Sequence, residues 1–320
     1  MNVKNANIAY VDKSLRMFNL MSKYYFVTIG FFFLFVFVVN YNIKLIPIEY
    51  SGYILLTAFT SFTVLKDINR NVKLKPFLVL AIPLLVVILT ILASGNGIWH
   101  NVLKLEMKSN ILVNLNETFS KIPFNDASFV RIFNPTWLTI YMKMVYNTGF
   151  VLAVLVPLFR ATLTLSLKKM VEYTLSSHVL QVLIITPFYF IFHLQEVWFV
   201  NGHPDMLGRN LTGLAAIETT LNCLPSMHTS IAFAMFLLVL REKDKIFKLV
   251  WGFYCLSVIY STMYLEIHWV IDIFAGLLLG YCSVKLADYV IKKWDIFFTK
   301  RFSKIFTKNP QRVISSENRI

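Results

Sequence analysis

Two histidines and one carboxylate open apolar runs late in the chain, His228 in Leu224-Pro225-Ser226-Met227-His228-Thr229-Ser230 and the pair His268 and Asp272 in Ile267-His268-Trp269-Val270-Ile271-Asp272. An ionisable side chain in a membrane segment costs at least ~2.5 to 3.5 kcal/mol at the bilayer centre, so by default it has a task. A spacing of four puts His268 and Asp272 on one helix face. The carboxylate can then take the imidazole Nδ1–H and leave Nε2 free as a nucleophile. Ser226 is the expected N-cap of the helix that contains His228, which leaves the first backbone N–H groups pointing outward. Those donors and the helix dipole favour a phosphate, with His228 standing beside it. Continuing by fours from Asp272 gives Gly276 and Gly280, a stripe that lets a neighbouring helix approach closely. The run containing Ser230, Ala232 and Ala234 is the natural neighbour.

The elements that must position these groups are membrane helices. The 320 residues are 57% hydrophobic and 15% charged, with a mean hydropathy of +0.62; soluble chains are usually about 45 to 50% apolar and ~25% charged. Disorder, collagen and coiled-coil classes are excluded. Three scattered cysteines, Cys223, Cys255 and Cys282, do not make a disulfide framework or a Cys-based zinc site. The net charge of +14 lies in short clusters between apolar runs, which reads as a topology signal and not as a nucleic-acid surface. Eight runs reach or approach the ~20 residues of a spanning helix, near 24–46, 50–65, 77–94, 136–159, 178–199, 224–240, 247–265 and 268–290. Most of the 31 lysines and arginines then fall on one side, which predicts cytoplasmic termini and a site facing away from the cytoplasm. The expected fold class is an all-α polytopic membrane protein: a cytoplasmic segment 1–23, a transmembrane catalytic domain 24–290 and a basic tail 291–320. In the tail, Trp294, Phe298, Phe302 and Phe306 recur every four residues among lysines, as in a helix lying on an anionic leaflet. The 95–134 connection reads either as an amphipathic helix carrying Leu105, Ile111, Leu112, Leu115 and Phe119 or as a plain surface loop.

At Cys223 to His228 and Tyr264 to Asp272 the chain resembles the type 2 phosphatidic acid phosphatase superfamily, and more closely the branch containing inositol phosphorylceramide synthase. The resemblance is specific over about residues 220 to 280. It implies a six-helix catalytic core, a phosphohistidine intermediate, a lipid phosphate or phospholipid substrate at the bilayer, and neither metal nor cofactor. It also implies roles: His268 as nucleophile, Asp272 as its partner, His228 as the acid that protonates the leaving oxygen. Water as acceptor makes a phosphatase; a sugar, inositol or glycan hydroxyl makes a headgroup transferase.

The superfamily's first motif, Lys-x6-Arg-Pro, has no match, and the arginine expected six residues before the nucleophile is Thr262. Lys143 is the candidate replacement for this phosphate clamp, with Tyr146 and Asn147 on the same helix face; snorkelling to the interface is the alternative. Ser226 and Arg209 complete the expected substrate-binding set, and Arg131, His193 and Glu196 lie at the same side. Two other classes stay open. His228, His268 and Asp272 could ligate zinc in a hydrolase, and a His and Asp relay could serve a transporter, although the titratable groups crowd at one side.

Overall fold

The computed structural model describes residues 24–46, 48–72, 74–107, 113–221 and 223–306. In chain order the elements are α1 (Tyr25–Ile43), α2 (Ile48–Phe62), α3 (Leu74–Met107), β1 (Val113–Asn114), α4 (Asn116–Ser120), α5 (Thr136–Leu163) and α6 (Leu167–Ile191). There follow β2 (Phe192–His193), α7 (Val197–Asn201), α8 (Gly213–Thr220), α9 (Met227–Val239), α10 (Lys245–Tyr264) and α11 (Val270–Phe306). The molecule is all-α, and among the described residues it has one small sheet, the parallel pair β1 and β2. Among the described residues, six helices are long and apolar enough to cross a membrane: α1, α3, α5, α6, α10 and α11. Two shorter apolar helices, Ser51–Phe62 within α2 and α9, complete the eight apolar runs. Side chains such as Phe31 and Phe35 on α1 or Val79 and Leu80 on α3 are exposed, as suits helices that are apolar on every face and meet lipid.

The short helix α9 is the centre of the bundle, packed by α5, α10 and α11. Its Ile231, Ala232, Ala234 and Met235 are all buried. The glycine stripe explains how α11 comes so close: a Cβ on Gly276 would lie 2.7 Å from the Ser226 carbonyl oxygen, and one on Gly280 2.6 Å from that of Ser230. Both contacts advance by four residues on each helix, so α9 and α11 run alongside in the same direction from the end that carries the histidines.

Several boundaries differ from the sequence expectation. The fifth span begins at Leu167, not near 178, because Ser166 caps it by accepting from the Lys169 N–H and because Lys169 meets Glu242 at 2.8 Å. A hydropathy window sees only the two lysines and not the partner. A π turn over Leu175–Val179 interrupts α6, and the helix ends at Ile191. Arg160, expected in a loop, lies inside α5 and is fully buried. The 95–134 connection is neither one amphipathic helix nor a plain loop: α3 runs on to Met107, and α4 follows β1, while Ile111 and Leu112 lie outside the described residues. The helix α11 continues to Phe306 without a break at Ile291. Residues 1–23 and 307–320, which include the expected cytoplasmic segment and the end of the tail, lie outside the described residues.

Candidate active site

The start of α9 is built as its sequence predicts. Ser226 is the N-cap, its Oγ accepting from the Thr229 N–H at 3.3 Å, which satisfies one first-turn donor and leaves those of Met227 and His228 without an intrahelical acceptor. Tyr189 of α6 donates its hydroxyl proton to the Pro225 carbonyl at 2.8 Å, holding the turn before the helix. The Ser226 N–H donates to the Asp272 carbonyl at 3.2 Å, so the two motifs are joined through backbone.

His268 lies two residues before α11, not on it, yet the spacing of four still closes: Nδ1 is 3.2 Å from Asp272 Oδ2. The same carboxylate oxygen accepts from the Trp269 N–H at 3.2 Å, the backward half of a capping box. The rest of the cap comes from far away in sequence. Asn125 takes the Val270 N–H on its carbonyl at 2.8 Å and the Ile271 N–H on its Oδ1 at 3.0 Å. Trp269 is buried against Phe119 and donates Nε1–H to the Gln195 carbonyl at 2.8 Å. Thr262, where the resemblance expects an arginine, accepts the N–H groups of Ile267 and His268 on its carbonyl, at 3.0 and 3.1 Å. That position therefore holds His268 through its backbone and supplies no cation. Asp272 is fully buried, and its Oδ1 has no hydrogen-bond partner among the described residues.

The two histidines face each other with ring centroids 6.3 Å apart. Tyr146 stacks on His228 at 4.5 Å and Phe150 meets it edge-on at 5.2 Å, so α5 fixes the ring plane. Both histidines line a cavity of about 580 Å³, whose walls also include Tyr146, Phe150, His178, Tyr189, Glu196 and Cys223. The geometry brings together Ser226, His228, His268, Asp272 and Tyr146 from the sequence-predicted set.

Of the other predicted residues Glu196 lines that cavity, whereas Lys143, Asn147, Arg209, Arg131 and His193 do not. Lys143, one turn before Tyr146, is half-buried, does not line it and has no ionic partner among the described residues. Asn147 is exposed and lines a second cavity. Arg209 forms ion pairs with Glu196 at 2.5 Å and Asp205 at 2.8 Å. Burial works against its charge, but the hydrogen bonds to Glu196 and Asp205 outweigh that and raise its pKa. Arg131 is likewise held by Glu266 at 3.0 Å, and His193 lies in β2.

Among the cavity residues that sequence reasoning missed are two with metal-ligating side chains. His178 sits in the π turn of α6, hydrogen-bonded to Ser177 Oγ at 2.9 Å; such turns often mark functional positions, but periodicity does not reveal them. Cys223 is the other. One donor atom from each of Cys223, His268 and Asp272 lie within 4.8 Å of one another, so the metal-capable set contains Cys223 where the sequence suggested His228.

No curated protein and no solved structure matches the chain. A family model described as the PAP2 superfamily matches residues 187–295, about a third of the chain. The matched stretch runs from the end of α6 to the membrane portion of α11 and holds Ser226, both histidines, Asp272 and the glycine stripe. It is in this segment, which carries the assembled site, that the protein is similar to the PAP2 superfamily.

Proposed function

We propose that the protein is a membrane-embedded lipid phosphatase or lipid headgroup phosphotransferase working through a phosphohistidine. The observation that carries this reading is the pair of imidazoles 6.3 Å apart across a cavity, one of them held by a buried carboxylate. His268 attacks phosphorus in line, and the bond to the departing alcohol breaks as His228 gives it a proton. His228 then takes a proton from the acceptor, whose oxygen displaces His268. The free first-turn N–H groups of α9 stabilise the charge on the equatorial oxygens. Asp272 positions the imidazole and stabilises its cationic form. The resemblance to the inositol phosphorylceramide synthase branch favours an alcohol over water as acceptor, and the distribution of lysine and arginine favours a site facing away from the cytoplasm of the cell membrane.

Trapping tests it. Purified protein given a phosphate-labelled lipid should carry acid-labile label on His268. His228→Ala should slow turnover by ~10² to 10⁴ and still trap label when the leaving group is good. Equal, modest losses from His228→Ala and His268→Ala would sink the role assignment.

A second reading rests on the proximity of Cys223, His268 and Asp272. A zinc ion held by these three with an open fourth position would activate water. Chelator treatment separates the two readings: phosphohistidine chemistry survives it, and zinc chemistry is lost and returns with added zinc.

A further inference from the structure

Beside the catalytic cavity lies a second one of about 610 Å³, walled by α1, α2, α3 and α5. Leu89, Val151 and Leu155 line both, so the two are neighbours through a shared apolar wall. On α5 the second cavity is bordered from Asn147 to Thr162. At 1.5 Å per residue this is roughly 22 Å along the helix axis. It leads from the level of the histidines toward the opposite end of the bundle. The direction matters: a hydrocarbon chain attached to a phosphate at His268 and lying parallel to a spanning helix would follow this path.

We propose that this groove holds the hydrocarbon chain of the phosphate ester cleaved at His268, and that α1 to α3, which lie outside the matched segment, are the device that selects the chain. The inference rests on the proposed phosphoryl-transfer reading. A chain already in a bilayer gains little by moving between apolar surroundings, because lipid is as apolar as leucine. Selection there comes from shape and packing. A monomeric ester arriving from water differs, since each methylene newly buried should raise kcat/KM about fourfold.

The test uses the full-length protein in detergent and a series of monomeric alkyl phosphates of increasing length. Leu85→Trp and Thr57→Phe fill the groove from α3 and α2 at partly exposed positions that do not line the catalytic cavity. Both variants should turn over the shortest ester at the wild-type rate and lose the rise with chain length. A slope equal to wild type, or equal loss on short and long esters, overturns the proposal. If wild-type protein turns over no ester, either with water alone or with an added polyol as acceptor, the phosphoryl-transfer reading fails and the groove is judged separately with an alkyl phosphonate bearing a diazirine at the chain end. Labelling of α2 and α3 that Leu85→Trp suppresses supports the groove. Labelling matched by a phosphate-free diazirine lipid means bulk lipid fills it, and the proposal falls.

Discussion

Buried charge is handled in opposite ways at the two ends of the bundle. At one end Arg160 is fully buried between Asp67 at 2.6 Å and Glu242 at 3.5 Å, donates to the Thr63 carbonyl and hydroxyl, and stands 4.0 Å over the ring of Phe247. Glu242 in turn accepts from Lys169 and from the Tyr173 hydroxyl at 2.5 Å, and Asp67 accepts the Lys243 and Asp244 N–H groups. At the other end Asp272 uses one oxygen and leaves the second without a hydrogen-bond partner among the described residues, and His228 and His268 face a cavity. Satisfied charge in the Arg160 knot ties α5 and α6 to the turns that follow α2 and α9; partly satisfied charge stands behind a histidine that lines a cavity. Sequence sees lysines, arginines and carboxylates at both ends, and only the pairing separates scaffold from site.

Substitutions should divide along the same line. His268→Ala is expected to remove turnover completely while leaving the thermal unfolding midpoint in detergent within a few degrees of wild type. Activity that persists would move the nucleophile elsewhere. Arg160→Met should do the reverse, since it strands Asp67 and Glu242: breaking a buried pair costs about 3 to 5 kcal/mol, read as a lowered unfolding midpoint, with normal turnover per folded molecule. A variant as stable as wild type would show that the knot is not the scaffold.

Gly276→Ala probes the joint between site and scaffold. Its new Cβ meets a backbone carbonyl at 2.7 Å, whereas one at Gly52 would meet nothing within 4 Å. A shift of ~1 Å between α9 and α11 is enough for about a 10²-fold loss of kcat/KM. Gly52→Ala should stay at wild-type activity, and equal behaviour of the two would dissociate the stripe from the histidine geometry. The smallest expected effect is on acid stability. Burial pushes the Asp67 carboxyl up, but the Lys243 N–H, the Arg160 charge and further donors bring it below its usual value. A depressed folded pKa gives stability that is complete above the unfolded value near 4 and is lost as pH falls through the folded one. Asp67→Asn should therefore be less stable at neutral pH and flatten the acid limb of an unfolding curve. An unchanged acid limb would remove Asp67 from the knot's charge balance.

Much of the site was legible because its signals are local. The N-cap at Ser226, the His268 to Asp272 contact and the close approach at Gly276 and Gly280 each rest on residues a few positions apart, which a sequence states directly. The eight apolar runs followed from hydropathy for the same reason. Less legible were the ends of α6, since a lysine in a helix is acceptable only if its partner, here Glu242, arrives from elsewhere.

The sequence by itself determined an all-α membrane protein, the two histidine motifs and the face on which α11 can be approached, because each rests on a short-range period or on total apolarity. Tertiary structure alone decided that Arg209 is tied to Glu196 and Asp205, that Thr262 acts through its carbonyl, that Asn125 caps α11 from 145 residues upstream of Val270, and that His178 and Cys223 reach the cavity. Those facts depend on which distant groups meet, because away from water a backbone donor or acceptor has to be paired inside the chain, and the pairing is set by the fold and not by neighbours in sequence.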